Sequence, residues 1–118
     1  MRIIVAGGRD FTDYDLMREK LDFFLKNHAP DIEIVCGEAL GADSLGKFYA
    51  QRNGYNVLSY PADWNKFGKS AGIRRNKQMA DIADALVAFW DGKSRGTANM
   101  IKQMQTLKKP VRIVYYNR

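Results

Sequence analysis

Cysteine is almost absent from this chain of 118 residues: Cys36 stands alone, so no internal disulfide can form. A reducing, cytoplasmic setting is the expectation that follows. Histidine is as scarce, with His28 the single example. No group of His, Cys and Asp has the spacing of metal ligands, so neither a metal nor another cofactor is expected. Three prolines and no Gly/Ser tract argue against a disordered linker. No segment repeats at solenoid length. No apolar run is long enough to cross a bilayer, and the run Arg2–Ala6 is too short for the h-region of a secretory signal. A membrane partner is therefore not expected.

Acidic residues are also unevenly missing. Met1 to Ala62 carries seven Lys/Arg against nine Asp/Glu, whereas Asp63 to Arg118 carries twelve against four. Between Trp64 and Met79 lie Lys66, Lys69, Arg74, Arg75 and Lys77 with no acid at all. Such a concentration suits an anionic partner, a phosphate-bearing ligand or a nucleic acid, although a charge run by itself is more often a solvated face.

What is present is ordinary globular material, 46% hydrophobic and 27% charged, in a length that suits one domain over residues 1–118. Apolar runs at Arg2–Ala6, Glu33–Cys36, Asn56–Tyr60, Ala85–Trp90 and Val111–Tyr115 read as strands. Between them lie helical patterns: one capped by Thr12 and running to about Asn27, one opening at Gly41-Ala42-Asp43-Ser44 and closed by Gly54, one over about Ser70–Ala83, and one starting at Gly96-Thr97. Leu45, Phe48 and Tyr49, then Ile73, Met79, Ile82 and Ala83, then Met100, Ile101, Met104 and Leu107 are the inward candidates. Residues 62–69 read as a loop. Strands that are continuous apolar runs and alternate with helices imply an α/β fold. The expectation is a single Rossmann-like domain with a five-stranded, mostly parallel sheet and helices on both faces. Ligands of such sheets bind beyond the carboxyl ends of the strands, where strand order reverses.

The strand-to-helix junctions are where the chemistry should gather. Gly7-Gly8-Arg9-Asp10 lets backbone N–H groups approach an anion, with Arg9 able to hold a phosphate. Gly37-Glu38-Ala39-Leu40-Gly41-Ala42-Asp43 places glycines before a helix N-terminus. There Asp43 serves either as a cap or as an acceptor for a ribose hydroxyl. Asp91-Gly92-Lys93-Ser94-Arg95-Gly96-Thr97 offers hydroxyls at a helix start but lacks Walker A spacing. In Gly68-Lys69-Ser70-Ala71-Gly72-Ile73-Arg74-Arg75-Asn76, cations sit at a helix start, where they oppose the dipole and an anion would compensate. Adjacent helical residues diverge, so one of Arg74 and Arg75 should face the ligand. Cys36 reads as a small buried residue. Trp64 and Trp90 flank the site; either could stack on a base, with core packing the expected use.

Taken together, Gly7-Gly8-Arg9-Asp10-Phe11, Gly37-x-Ala39-x-Gly41-Ala42-Asp43, Ala62-Asp63-Trp64 with Gly68-Lys69 and Arg75-Asn76, and Phe89-Trp90-Asp91-Gly92-x-Ser94-x-Gly96-Thr97 resemble the SLOG superfamily, in particular its YspA-like branch. The resemblance implies a Rossmann-like domain that binds nucleotides or their derivatives, often as a sensor. It also points to two kinds of relative. LOG-type phosphoribohydrolases release the base from a nucleoside monophosphate, and DNA-processing relatives bind single-stranded DNA. Arg75 before Met79 matches the hydrolase pattern, but the position of the hydrolase glutamate is held by Asn99, and an amide is no general base.

The leading expectation is thus a binder of a nucleotide-derived, phosphate-bearing ligand, acting as a sensor or sequestering module. Gly7, Gly8, Arg9, Asp10, Gly37, Gly41, Ala42, Asp43, Lys69, Arg74, Arg75, Asn76, Ser94, Gly96 and Thr97 would form its site. The alternatives are nucleotide N-glycosidic hydrolysis, with Glu38, Asp43 and Arg75 as catalytic candidates and Asp91 as a substitute carboxylate, and single-stranded nucleic-acid binding. A homo-oligomer is expected, with Phe23, Phe24 and Tyr49 as candidates for its interface.

Overall fold

The structure is a computed structural model that describes residues 1–28 and 30–117. Ala29, expected to help break the first helix, lies outside the described residues. Five strands, β1 (Arg2–Gly7), β2 (Glu33–Cys36), β3 (Asn56–Ser59), β4 (Ala85–Trp90) and β5 (Val111–Tyr115), form one sheet in the order β3-β2-β1-β4-β5. All four pairings are parallel, with Ile4 opposite Val35 on one side and opposite Leu86 on the other. The chain therefore builds outward from β1 in one direction, then returns to its other side. That reversal leaves a crevice at the carboxyl ends of β1 and β4.

Helices cover both faces because alternate strand residues point to opposite sides. Ile3, Val5, Ile34, Val87 and Phe89 pack with Met17, Leu21 and Leu25 of α1 (Tyr14–Leu25) and with Ala42, Tyr49 and Ala50 of α2 (Ala42–Asn53). Ile4, Ala6, Val35, Leu86 and Ala88 pack on the other face with Met79 and Ala80 of α4 (Ala71–Ile82) and with Met100, Ile101 and Met104 of α5 (Arg95–Thr106). No helix among the described residues is long and apolar enough to cross a membrane.

Several local expectations need correction. The cap of α1 is Asp13, whose Oδ1 accepts the Leu16 N–H at 3.0 Å, and not Thr12. The stretch 62–69 is not a plain loop. It holds the short helix α3 (Trp64–Phe67), capped by Asp63, and the start of a 3-10 turn (Gly68–Ser70). Phe48, Ile73 and Leu107, expected inward, are exposed. Phe48 and Ile73 lie at the edge of their helices' apolar faces, and Leu107 lies beyond α5, as its C-terminal cap. Tyr49, an inward candidate also offered for an interface, is buried, and its hydroxyl donates to Asp22 Oδ1 at 2.7 Å.

Helix α2 lies unusually close to β1, and Gly46 permits it. A Cβ there would sit 2.7 Å from Val5 Cγ1 and 2.9 Å from Val5 Cβ. Val5 is buried and stiff at χ1, so it cannot move aside. Gly46→Ala would gain about 1 kcal/mol of helix propensity but incur an overpacking cost of about 1–3 kcal/mol. We expect the clash to win, lowering stability by about 1 kcal/mol. A urea midpoint above that of the wild type would refute the close-approach argument.

Candidate functional site

The crevice at the sheet reversal is a cavity of about 630 Å³. It brings together Gly7, Gly8, Arg9, Asp10, Asp43, Lys69, Arg75, Asn76, Ser94, Gly96 and Thr97 from four separate segments, with Asp91 and Asn99. Met79 and Met100 add an apolar lining. A smaller cavity of about 240 Å³ adjoins it and is lined by Glu38.

The loop after β1 is shaped by its neighbours. Gly8 N–H donates to Phe89 O at 3.1 Å, and Gly8 O accepts the Ala42 N–H at 3.1 Å. Phe11 anchors the loop against Phe89 and Tyr116, with ring centroids 5.0 and 4.9 Å away. The Tyr116 hydroxyl donates to Asp10 Oδ1 at 2.7 Å and lies where a Cβ on Gly8 would be. Tyr116 follows the last strand and was not legible as a site residue, because only the tertiary fold carries it back to the first loop.

Gly41 and Ala42 line neither cavity; they support the site from behind. Gly41 has φ +75°, and any side chain would run into the carbonyls of Gly8 and Arg9. Gly37 plays a similar role: a Cβ would collide with the Arg75 guanidinium and come within 2.9 Å of Asp43 Oδ2. Arg75 Nη1 thereby reaches Tyr60 O at 3.3 Å, while its Nε donates to Asn76 Oδ1 at 3.2 Å. Asn76 in turn donates through Nδ2 to Gly96 O at 3.2 Å and to Asn99 Oδ1 at 3.0 Å. The Asn99 oxygen is thus engaged, and its NH₂ is the end left for a ligand.

Of the neighbouring arginines only Arg75 lines the cavity. Arg74 is turned away, with Nε on Ser70 Oγ at 3.1 Å and its guanidinium 4.5 Å above the Phe67 ring. The third junction is folded by Asp91, whose Oδ1 accepts the N–H groups of Lys93 and Ser94, both at 2.8 Å. Those bonds hold its carboxyl below the usual carboxylate range. Trp90 Nε1 donates to Ser94 O at 3.0 Å, and its ring stacks on Tyr115 with centroids 5.9 Å apart. Trp64 departs from expectation: it is 51% exposed and lines both cavities instead of packing in the core.

The electrostatics are lopsided. Among the described residues, Arg9, Lys69, Arg75 and Arg95 all line the cavity, and none forms an ion pair within 4.0 Å. Asp43 is only 6% exposed and accepts the Ala39 N–H at 3.3 Å. Burial pushes its carboxyl up from 3.8 to about 7, against the opposing pull of Arg75, the Ala39 N–H and Arg9. Cys36, buried beneath, is likewise raised to about 11 by burial.

A crevice of this kind, at the switch point of a parallel sheet with strand order 3-2-1-4-5, defines a Rossmann-like ligand-binding domain. More particularly, residues 1–67 match the model of the YspA, cpYpsA-related SLOG family, and the chain belongs to that family. The gene 61 protein of Mycobacterium phage D29 is 32% identical over 116 residues, covering 93% of each chain. Two solved structures share the fold. DNA processing protein A from Streptococcus pneumoniae superposes with a TM-score of 0.75 at 17% identity, over 98% of this chain and 50% of that one. DNA processing protein A from Helicobacter pylori, a protein that binds single-stranded DNA, gives 0.70 at 21% identity, over 99% and 66%. The chain thus spans half to two thirds of their lengths.

The raised Asp43 carboxyl has a definite stability consequence. In the unfolded chain the group ionises near 4, in the folded one near 7, so its stabilising share is fully present below the first value and is lost as pH rises to the second. Asp43→Asn removes that dependence. Between about pH 4 and about pH 8 the wild type should lose up to about 4 kcal/mol relative to the variant. Urea unfolding across that range measures it, and parallel curves for the two proteins would show that Asp43 ionises normally.

Proposed function

We propose that this protein binds single-stranded DNA, seating a nucleotide of the strand in the cavity at the sheet reversal. The observation that carries this reading is the set of cavity cations without ion pairs beside an exposed Trp64. Cations that no carboxylate pairs within 4.0 Å among the described residues favour an anionic ligand, and a phosphate backbone supplies one. Trp64 offers a face on which a base can stack. Beyond the cavity the same pattern continues along α3 and α4. Phe67, partly exposed, has Lys66 at 5.1 Å and Arg74 at 4.5 Å from its ring centroid. Alternating aromatic and cationic groups are what a sequence-tolerant single-strand groove requires. The fold shared with two DNA processing proteins, one of which binds single-stranded DNA, supports the same reading.

A second reading retains a free nucleotide or nucleotide derivative as the ligand. It is favoured by the position of the cavity between the Gly7–Asp10 and Ser94–Thr97 segments, with a volume that suits a small molecule. If such a ligand is cleaved, Asp43 is the carboxyl poised near neutrality beside Arg75.

Fluorescence anisotropy with a labelled oligothymidylate tests the leading reading. The affinity should fall steeply with salt. Trp64→Ala should cost about 1–3 kcal/mol, the worth of one stacked base. Arg75→Ala should cost a similar amount, about 1.5–3 kcal/mol, for a charged hydrogen bond lost. An unlabelled duplex should compete poorly. Tight binding of a mononucleotide, with release of free base followed by proton NMR and no response to the oligomer, would shift the conclusion to the second reading.

A further inference from the structure

The main cavity is flanked by a smaller one, and the two share Arg9, Ala39, Trp64 and Arg75. The larger cavity lies between the ends of β1 and β4, and the smaller one lies on the other side of Arg9, Trp64 and Arg75, all three of which line both. The smaller cavity is lined further by Glu38, Pro61 and Ala62, which do not border the larger one. Arg9 and Arg75 both line both cavities, so the two guanidinium groups border the same divide. A ligand whose negative charge sits at this divide has room for a group on each side of it.

We propose, on the basis of the single-strand reading above, that the site grips an internal phosphodiester. The phosphate lies between Arg9 and Arg75, one nucleoside enters the larger cavity, and its neighbour enters the smaller one. The smaller cavity suits a base. Trp64 and Pro61 present apolar surface, and the exposed Glu38 carboxylate accepts hydrogen bonds from an amino or imino N–H. A terminal monophosphate would leave this second cavity empty. Coulomb attraction alone argues the opposite preference, because a monoester carries up to two negative charges and a diester only one. The two hypotheses therefore predict different orders of affinity.

The phosphodiester chemistry has two sources, a DNA strand or a free dinucleotide, and titration calorimetry with three ligands separates them. The ligands are thymidine 5′-monophosphate, the dinucleoside monophosphate thymidylyl-thymidine, and a longer oligothymidylate. We expect the dinucleoside monophosphate to bind about tenfold more tightly than the mononucleotide, because a second base is seated. Ala62→Phe, which fills the smaller cavity, should remove that advantage, with thermal melting used to verify that the variant folds. A mononucleotide that binds as well as the dinucleoside monophosphate overturns the proposal, whether or not the variant folds. So does an advantage that survives in a folded Ala62→Phe protein. An oligomer that binds without competition from the dinucleoside monophosphate overturns the two-cavity placement and leaves the single-strand reading standing. A dinucleoside monophosphate that binds where the oligomer does not supports the placement and overturns the single-strand reading.

Discussion

The Gly8 carbonyl accepts the Ala42 N–H at 3.1 Å, and Gly41, immediately before Ala42, has no room for a side chain against the carbonyls of Gly8 and Arg9. This backbone-to-backbone approach joins the first junction of the sheet to the second. It brings the start of α2 hard against the end of β1 and so places Asp43 under the loop that carries Arg9. Gly37 then lets Arg75 approach from α4 on the opposite face of the sheet. Three segments far apart in the chain meet because glycine leaves the space between them unfilled. Side chains at these positions would push the segments apart and open the crevice before any ligand could use it.

The same closeness sets the charge balance. Asp43 is near two guanidinium groups, yet its carboxyl is raised, because the loss of water outweighs their attraction. The arginines are thus incompletely neutralised by the protein. An arriving phosphate occupies the field that Asp43 would otherwise use, and by repulsion it favours the protonated carboxyl further. Anion binding and proton uptake at Asp43 are therefore coupled in the same direction, and the site is most cationic when Asp43 holds its proton.

Much of this was legible in the sequence. The bounds of β2, β4 and β5 coincide with the apolar runs because buried parallel strands are apolar throughout, and the junctions were rightly expected to converge because a parallel sheet collects them at one edge. What escaped depended on geometry that a linear pattern does not contain. Thr12 and Asp13 are both good caps, and only the backbone path selects Asp13. Phe48 and Ile73 have helical spacing but are exposed, and Leu107 falls just past the end of α5. Helix α3 has four residues, too few to display a period. Arg74 and Arg75 are identical in type, and the turn of α4 decides that Arg75 lines the site while Arg74 lies over Phe67. Trp64 reads as core by composition, but it opens the short α3, which buries none of its residues.

The excess of cations in the second half also divides on inspection of the fold. Lys109 Nζ donates to the carbonyls of Ala80 at 2.6 Å and Asp81 at 3.3 Å, so it stabilises the end of α4. Lys77 pairs with Asp81 at 3.3 Å. These charges are satisfied locally and say nothing about a partner. Lys69, Arg75 and Arg95 come from the same basic half, line the cavity, and have no carboxylate within ion-pair distance among the described residues. Arg9 joins them from the acidic half. Four cations gathered at one place, and not the net charge of +6, are what suits an anionic ligand. Charge counted along a chain overstates the binding surface, because some cations are already used to complete the fold.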